Sequence, residues 1–408
     1  MGSRMSTVTE SSHQVNPSKK AAPEFAPQHG VPCLYMRGGT SKGPFFNADD
    51  LPKDRGLRDK ALLAIMGSPD KRQINGVGGA HPLTSKVGIV SKSTSTRAGV
   101  DLEFLFAQLQ PDKDTVDTTP NCGNMLAAVV PFAVETGMVE VSKDLSTFRV
   151  LTLNTDMLCD ITVETPLVPG SSTKRFVNYE GDARIDGAPG SSSPITINFL
   201  DTAGSVCSSL LPTGQVLDTV RVEPTPELSG FEPFEIDVTC IDNGMPLVIF
   251  KASDMGRTGS ESVADLNADT ELKTRIEALR LKVSHLMGLG DVKSKNYPKM
   301  TLIAAPQHGG SLTTRSFIPH VCHDAIGVLA AVTVGTACVL KGSVCEGIAV
   351  MPQGNTKTVS VEHPTGEFSV ELGIDPSNSQ NVTRAALLRT ARLIMRGEAM
   401  VPATVLAS

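Results

Sequence analysis

Along most of the chain, short apolar or alternating runs are separated by Gly, Pro, Asn and Asp. The runs "VPCLYMRG" (31–38), "KVGIVSKS" (86–93), "VDLEFLFAQL" (100–109), "TFRVLTLNT" (147–155), "CDITVETPLV" (159–168), "PITINFLD" (194–201), "FEIDVTCID" (234–242), "PLVIFKAS" (246–253), "KMTLIAAPQ" (299–307), "EGIAVMPQ" (346–353) and "TVSVEHPTGEFSVELGI" (358–374) read as β-strands. Leu272, Ile276, Leu279, Val283 and Leu286 recur at helical spacing and predict an amphipathic helix that stops at Gly288. A second helix is predicted from about Val382 to Met395, with Arg384, Arg389, Arg392 and Arg396 forming a solvated basic face.

Two further segments are apolar on nearly every side, "CGNMLAAVVPFAVET" (122–136) and "HDAIGVLAAVTVGTAC" (323–338), and predict helices buried all round. Each follows strands, opens with polar residues and leads into more strands, and the two lie half a chain apart. This predicts an α+β protein made of a duplicated unit, a β-sheet or barrel wrapped around one central helix, with a pseudo-twofold relation and a cleft between the copies. The expected boundaries are a tail over 1–26, a first domain over 27–190, a second over 191–385, and a helix and tail over 386–408 that packs back on the first domain.

Composition narrows the function. The 408 residues carry a net charge of -6, aromatic residues are 4% and Trp is absent, so neither a basic footprint nor a stacking platform for nucleic acid is expected. The eight cysteines are scattered without a CxxC, which suits reduced thiols, and no uncharged apolar run is long enough to span a membrane. The polar, Pro- and Ser-containing N-terminus has neither a secretory nor a mitochondrial pattern, so a cytoplasmic protein with no membrane or nucleic-acid partner is expected. A homodimer is compatible with the sequence.

The candidate chemistry lies in three loops. "NCGNM" places Cys122 at a helix start, where unpaired N–H groups and a partial positive charge stabilise anions, a thiolate or carboxylate included. Asn121 and Asn124 add amide donors, and Gly123 lets a ligand approach the backbone. "MRGGTSKGPFF" (36–46) supplies Arg37, Gly39, Thr40, Ser41 and Lys42, and "NGVGGAHPLTSKVGIV" (75–90) ends in Thr84, Ser85 and Lys86. Neither loop fits a nucleotide-binding pattern; hydroxyls, amides and a few cations suit a ligand with several carboxylates better. Lys299 and Arg315, from the second half, are candidates to add positive charge across the cleft. "HVCH" (320–323) has no third and fourth ligand at zinc-site spacing, so no metal is expected.

"MRGGTSKG", "GVGGAHPLTSK" and "NCGNM", in this order, resemble the PrpF family, whose fold is that of diaminopimelate epimerase. The likeness continues through "EGDARIDGAPG", "LLPTG", "IDNGMP", "GRTG", "MGLGDV", "PKM" and "RTARLIMRGEAMVP". The resemblance implies a metal- and cofactor-independent isomerase of unsaturated tricarboxylic acids, nearest the branch of 4-oxalomesaconate tautomerases and aconitate Δ-isomerases. By motif, Lys86 corresponds to the essential base and Cys122 to the cysteine of the epimerase-type Asn-Cys-Gly-Asn turn. The second catalytic cysteine of diaminopimelate epimerases is not matched by "HVCHDAIG", and their Gly-Asn-Pro turn is altered to Gly244-Met245-Pro246. Conversion of cis-aconitate to trans-aconitate is the expected reaction. Keto–enol tautomerisation of 4-oxalomesaconate is the alternative enzyme, and a non-catalytic accessory of a metal-dependent hydratase the alternative of another class.

Overall fold

A computed structural model describes residues 27–406 apart from 355 and 376, so the predicted tail over 1–26 lies outside the described residues. The protein is a sheet-dominated α+β fold in which, among the described residues, few helices interrupt a continuous network of seventeen strands. Strand Gln28–Gly38 turns back on Ser41–Asn47. That strand runs parallel to Lys86–Lys92, which pairs antiparallel with Leu102–Leu109. The network continues parallel to Leu145–Thr152, then antiparallel through Met157–Glu164 and Ile195–Phe199.

In the second half, Phe234–Asp242 turns back on Pro246–Lys251, which runs parallel to Lys299–Ala304. Leu312–Phe317 follows antiparallel, Thr356–His363 parallel, and Gly366–Asp375 and Asn378–Arg389 antiparallel. Asn378–Arg389 also pairs with Ile195–Phe199 and so stitches the halves together. The last strand, Ala391–Pro402, returns to pair with Gln28–Gly38 from Gly38↔Ala391 to Gln28↔Pro402.

The predicted basic helix over 382–395 is therefore two strands. Its four arginines do not share a solvated face: Arg384 pairs with Glu371 (2.9 Å), Arg396 with Glu135 (2.7 Å), and Arg389 is buried at 2% exposure. Pairing of the first strand with Gly366–Asp375 and Ile195–Phe199, and of the second with Gln28–Gly38, supplies the hydrogen bonds that a helix would otherwise make internally, and this long-range term overrides local propensity. The predicted strand over 346–353 is instead a run of turns, in which the N–H groups of Ile348 and Ala349 both reach back to Cys345 O.

The amphipathic helix is present as Thr270–Leu286, capped by Asp269, whose side chain accepts from Leu272 N. The first apolar segment is broken into Gly123–Leu126 and Val129–Glu135, and the second is helical over Val328–Val339. Residues 323–327 precede that helix as a loop, where His323 Nδ1 accepts from Ala325 N. Both buried helices belong to one apolar core: Met125, Leu126 and Val129 of the first join Ala330, Val332 and Val334 of the second, with Met36, Phe45, Phe106 and Leu387 from the surrounding strands. Separate clusters lie on the outer sheet faces, one under Thr270–Leu286 and one under helix Arg55–Met66.

Strand alternation sets which side chains face this shared core. Lys86 and Gln108 are paired and lie in step with Gly88 and the core residue Phe106, so both face inward. Lys299 is paired with the core residue Leu247, and Arg389 with the core residue Ile195, so they face inward as well.

Candidate active site

Lys86 opens its strand at 8% exposure. Its Nζ donates to Gln108 Oε1 at 2.6 Å and stands 5.0 Å from the centre of the Phe106 ring. Gln108 cannot turn away, because its Nε2 donates to Pro82 O (3.0 Å) and Leu109 O (2.9 Å). The amine is thus held on one neutral acceptor over an aromatic face, a setting that fixes its direction.

The strand that Lys86 begins packs on the helical turn Gly123–Leu126. Cys122 is the half-buried N-cap of that turn: its N–H donates to Asn121 Oδ1 (2.8 Å) and its carbonyl accepts from Leu126 N (2.9 Å). With only one turn before the break at Ala127–Ala128, little macrodipole accumulates behind Cys122, and the helix-end argument is weaker than the sequence suggested.

The Gly38–Ser41 turn sits directly on this helix start. A Cβ on Gly38 would strike Asn124 O and one on Gly39, where φ is +53, would strike Asn124 Oδ1, so only glycines permit the approach. Asn124 Nδ2 donates to Thr40 Oγ1 (2.9 Å), and Asn124 Oδ1 accepts from Arg389 Nε (3.1 Å). Ser41 is buried, and its Oγ has no hydrogen-bond partner among the described residues.

From the other half, the second buried helix starts at the same place. A Cβ on Gly123 would lie 3.0 Å from Val328 Cγ2, and one on Gly327, the N-cap of the second helix, would lie 3.4 Å from Lys299 Nζ. Lys299 is half-buried and has no hydrogen-bond or ion-pair partner among the described residues. Burial holds its amine below the usual lysine range.

The structure thus brings together Gly39, Thr40, Ser41, Cys122, Gly123, Asn124 and Lys299, with Lys86 on the strand packed against them. Other predicted residues are engaged elsewhere. Arg37 alternates to the face opposite Met36; its Nη1 donates to Gly39 O (2.8 Å) and Thr390 Oγ1 (3.0 Å), and its Nη2 to Ser192 Oγ (3.4 Å). Burial, then the charge of Arg392, lowers its pKa. Lys42 stands opposite Arg37 on that same face. Thr84 and Ser85 turn inward on their own loop, each hydroxyl donating to His81 O. Arg315 is paired with Leu302 of the outer cluster and donates to Glu261 O (2.9 Å) and Thr314 O (2.9 Å).

Sequence reading missed Arg389, which was assigned to a solvated helix face. No local signal marked it: its inward position depends on pairing with Ile195, nearly two hundred residues earlier. Gln108 was also missed.

Lys86, Lys299 and Arg389 form no ion pair among the described residues, unlike Arg149, which Asp160 neutralises, and Arg280, which Glu277 neutralises. An amine, a thiol, a second amine and a guanidinium around one junction can hold a multiply charged anion and move protons on it. No three His, Cys, Asp or Glu residues are grouped for a metal ion among the described residues.

The family model described as PrpF protein matches residues 28–402. The chain is 51% identical over 367 residues to a (4E)-oxalomesaconate Delta-isomerase of Novosphingobium sp. (strain KA1), covering 90% of this chain and 96% of that one. It is 47% identical over 370 residues to a 4-oxalomesaconate tautomerase of Pseudomonas putida, covering 91% and 96%. The crystal structure of a methylitaconate-delta-isomerase superposes with a TM-score of 0.78 at 32% identity, covering 94% of this chain and 98% of that one. Its relatives make this chain an isomerase. The chain belongs to the PrpF family.

Proposed function

We propose that this enzyme moves the C=C bond of an unsaturated tricarboxylic acid by a proton shift across three carbons, with cis-aconitate to trans-aconitate as its reaction. The observation that carries the reading is the meeting of the two buried helices at Gly123 and Val328, which gathers Cys122 and Lys299 beside the strand of Lys86.

In this reading Lys86, as the neutral amine, takes a proton from the methylene between a carboxylate and the alkene. The electron pair spreads over the alkene and the carboxylate, and Cys122 returns a proton at the former vinylic carbon. A proton passing from the Lys86 ammonium to the Cys122 thiolate resets the site, so the cycle is redox-neutral and draws on no cofactor. Lys299 and the Thr40–Asn124 pair hold carboxylates and lower the energy of the delocalised anion. Both ends of aconitate carry the same groups, so the shifted product is again aconitate, with a geometry set by the bound conformation of the three-carbon unit.

The same reading takes the halves as copies of one unit related by a pseudo-twofold axis, each wrapped around its buried helix. It is supported by the recurring order of pairings, in which Lys86 and Lys299 each open the strand that runs parallel to the preceding hairpin. Tautomerisation of 4-oxalomesaconate is the second reading, favoured by the name of the tautomerase at 47% identity, while the relative at 51% is named for the same acid as a Delta-isomerase. Proton NMR of the protein with each acid in D2O separates them. Deuterium in the new methylene of trans-aconitate supports the first reading; turnover of oxalomesaconate with cis-aconitate untouched replaces it by the second.

A further inference from the structure

Arg389 is 2% exposed, yet one nitrogen of its guanidinium has no hydrogen-bond partner among the described residues. Nε donates to Asn124 Oδ1 (3.1 Å), Nη1 donates to Leu388 O (2.7 Å), and the Phe368 ring lies 4.2 Å from Cζ. These contacts fix the guanidinium plane and leave Nη2, with two N–H groups, buried and without an acceptor among the described residues. The carboxylate whose charge most affects it, Glu367, makes no ion pair with it and is held by the hydroxyls of Ser360 and Ser369. Buried donors are almost always satisfied in folded proteins, and a charged one left bare is costly.

The surroundings indicate what is missing. The acceptor of Nε is the Asn124 side chain that also binds Thr40 and lies against Gly39. Cys122 is an electrostatic neighbour of Arg389, and the hydroxyl of Ser41 is likewise buried without a partner among the described residues. Burial lowers the guanidinium pKa to about 9, a penalty that an anion on Nη2 would offset.

We propose that Arg389 Nη2 receives one carboxylate of the substrate beside Asn124 and Thr40, making Arg389 the residue that recognises that carboxylate. The inference rests on the isomerase reading above and adds to it a specific subsite.

Calorimetric titration with tricarballylate, the saturated tricarboxylate, and with its two dicarboxylate relatives, glutarate and 2-methylsuccinate, tests it. Wild type should lose about 10–100-fold in affinity when the carboxylate bound by Arg389 is absent from the ligand, the scale of one charged hydrogen-bonded contact. Arg389→Met should bind tricarballylate that much more weakly and lose nothing further when the same carboxylate is removed. Equal weakening for all three ligands, or none, would overturn the proposal. A crystal structure of the wild-type protein with tricarballylate needs no variant: a carboxylate oxygen within hydrogen-bond distance of Nη2 supports the proposal, and a bound ligand lying elsewhere refutes it. Wild type that holds tricarballylate on Arg389 but exchanges no deuterium into any unsaturated tricarboxylate would remove the isomerase reading while leaving the subsite standing.

Discussion

Val328 Cγ2 stands 3.0 Å from where a Cβ on Gly123 would lie, so the two buried helices begin against each other with no room for a methyl group. Gly123→Ala should push Val328 aside, lower stability by about 1–3 kcal/mol, the usual range for overpacking, and reduce turnover by shifting the helix start that Cys122 caps. Adding Val328→Ala should recover much of both. Thermal unfolding and kinetics of the single and double variants check this; a single variant with wild-type stability and turnover refutes it.

Lys86→Ala should abolish turnover while leaving the far-UV circular dichroism unchanged, since the other inward amine, Lys299, lies at the start of the second helix. Cys122→Ser should lower kcat by about 10²–10⁴-fold if the thiol is the second proton carrier. A change confined to KM would assign Cys122 to binding instead.

Lys299 should cost stability at neutral pH, because its amine is desolvated. Burial lowers its pKa, so between its folded value and the usual lysine value the unfolded chain binds more protons. Its contribution to stability therefore becomes less unfavourable as pH rises through that window. Lys299→Met should raise the Tm at neutral pH and flatten the alkaline rise, while KM for the tricarboxylate increases. A lower Tm at neutral pH would contradict this account.

His363 should make the protein acid-sensitive. Burial, ahead of repulsion from Arg389, His323 and Arg315, lowers its pKa to about 4, against an opposing pull from Asp186. Its contribution is fully present above the ordinary histidine value near 6.5 and is lost as pH falls toward 4. Replacing it by Phe, with Phe368 already packed 5.2 Å away, should flatten the decline in Tm over that range.

Arg37 acts through its fork of donors to Gly39 O, Thr390 and Ser192, which tie the glycine turn to the strand junction. Arg37→Lys keeps the charge but cannot make these bonds together. It should lower stability by about 1–3 kcal/mol, the cost of unsatisfied buried partners, with a smaller effect on KM than Lys299→Met. Denaturant titration beside steady-state kinetics checks the order.

Most strands, the long amphipathic helix, the two buried helices and the thiol at the start of one of them were legible in the sequence, because each depends on local periodicity or on turn residues. Cys122 stood out in the sequence as a candidate by its place at a helix start, and Lys86 by its likeness to the PrpF motif; the structure packs the strand of Lys86 on the turn that Cys122 caps. Only the tertiary structure decided that residues 378–402 are strands, since their pattern suits either period and the deciding hydrogen bonds come from Ile195–Phe199 and Gln28–Gly38. That pairing buries Arg389 at 2% exposure, while alternation turns Lys299 inward and Arg37 and Arg315 to the outer faces. Sequence lists the charges a site can use; which of them lose their water, and therefore call for an anion, is settled by contacts between residues far apart in the chain.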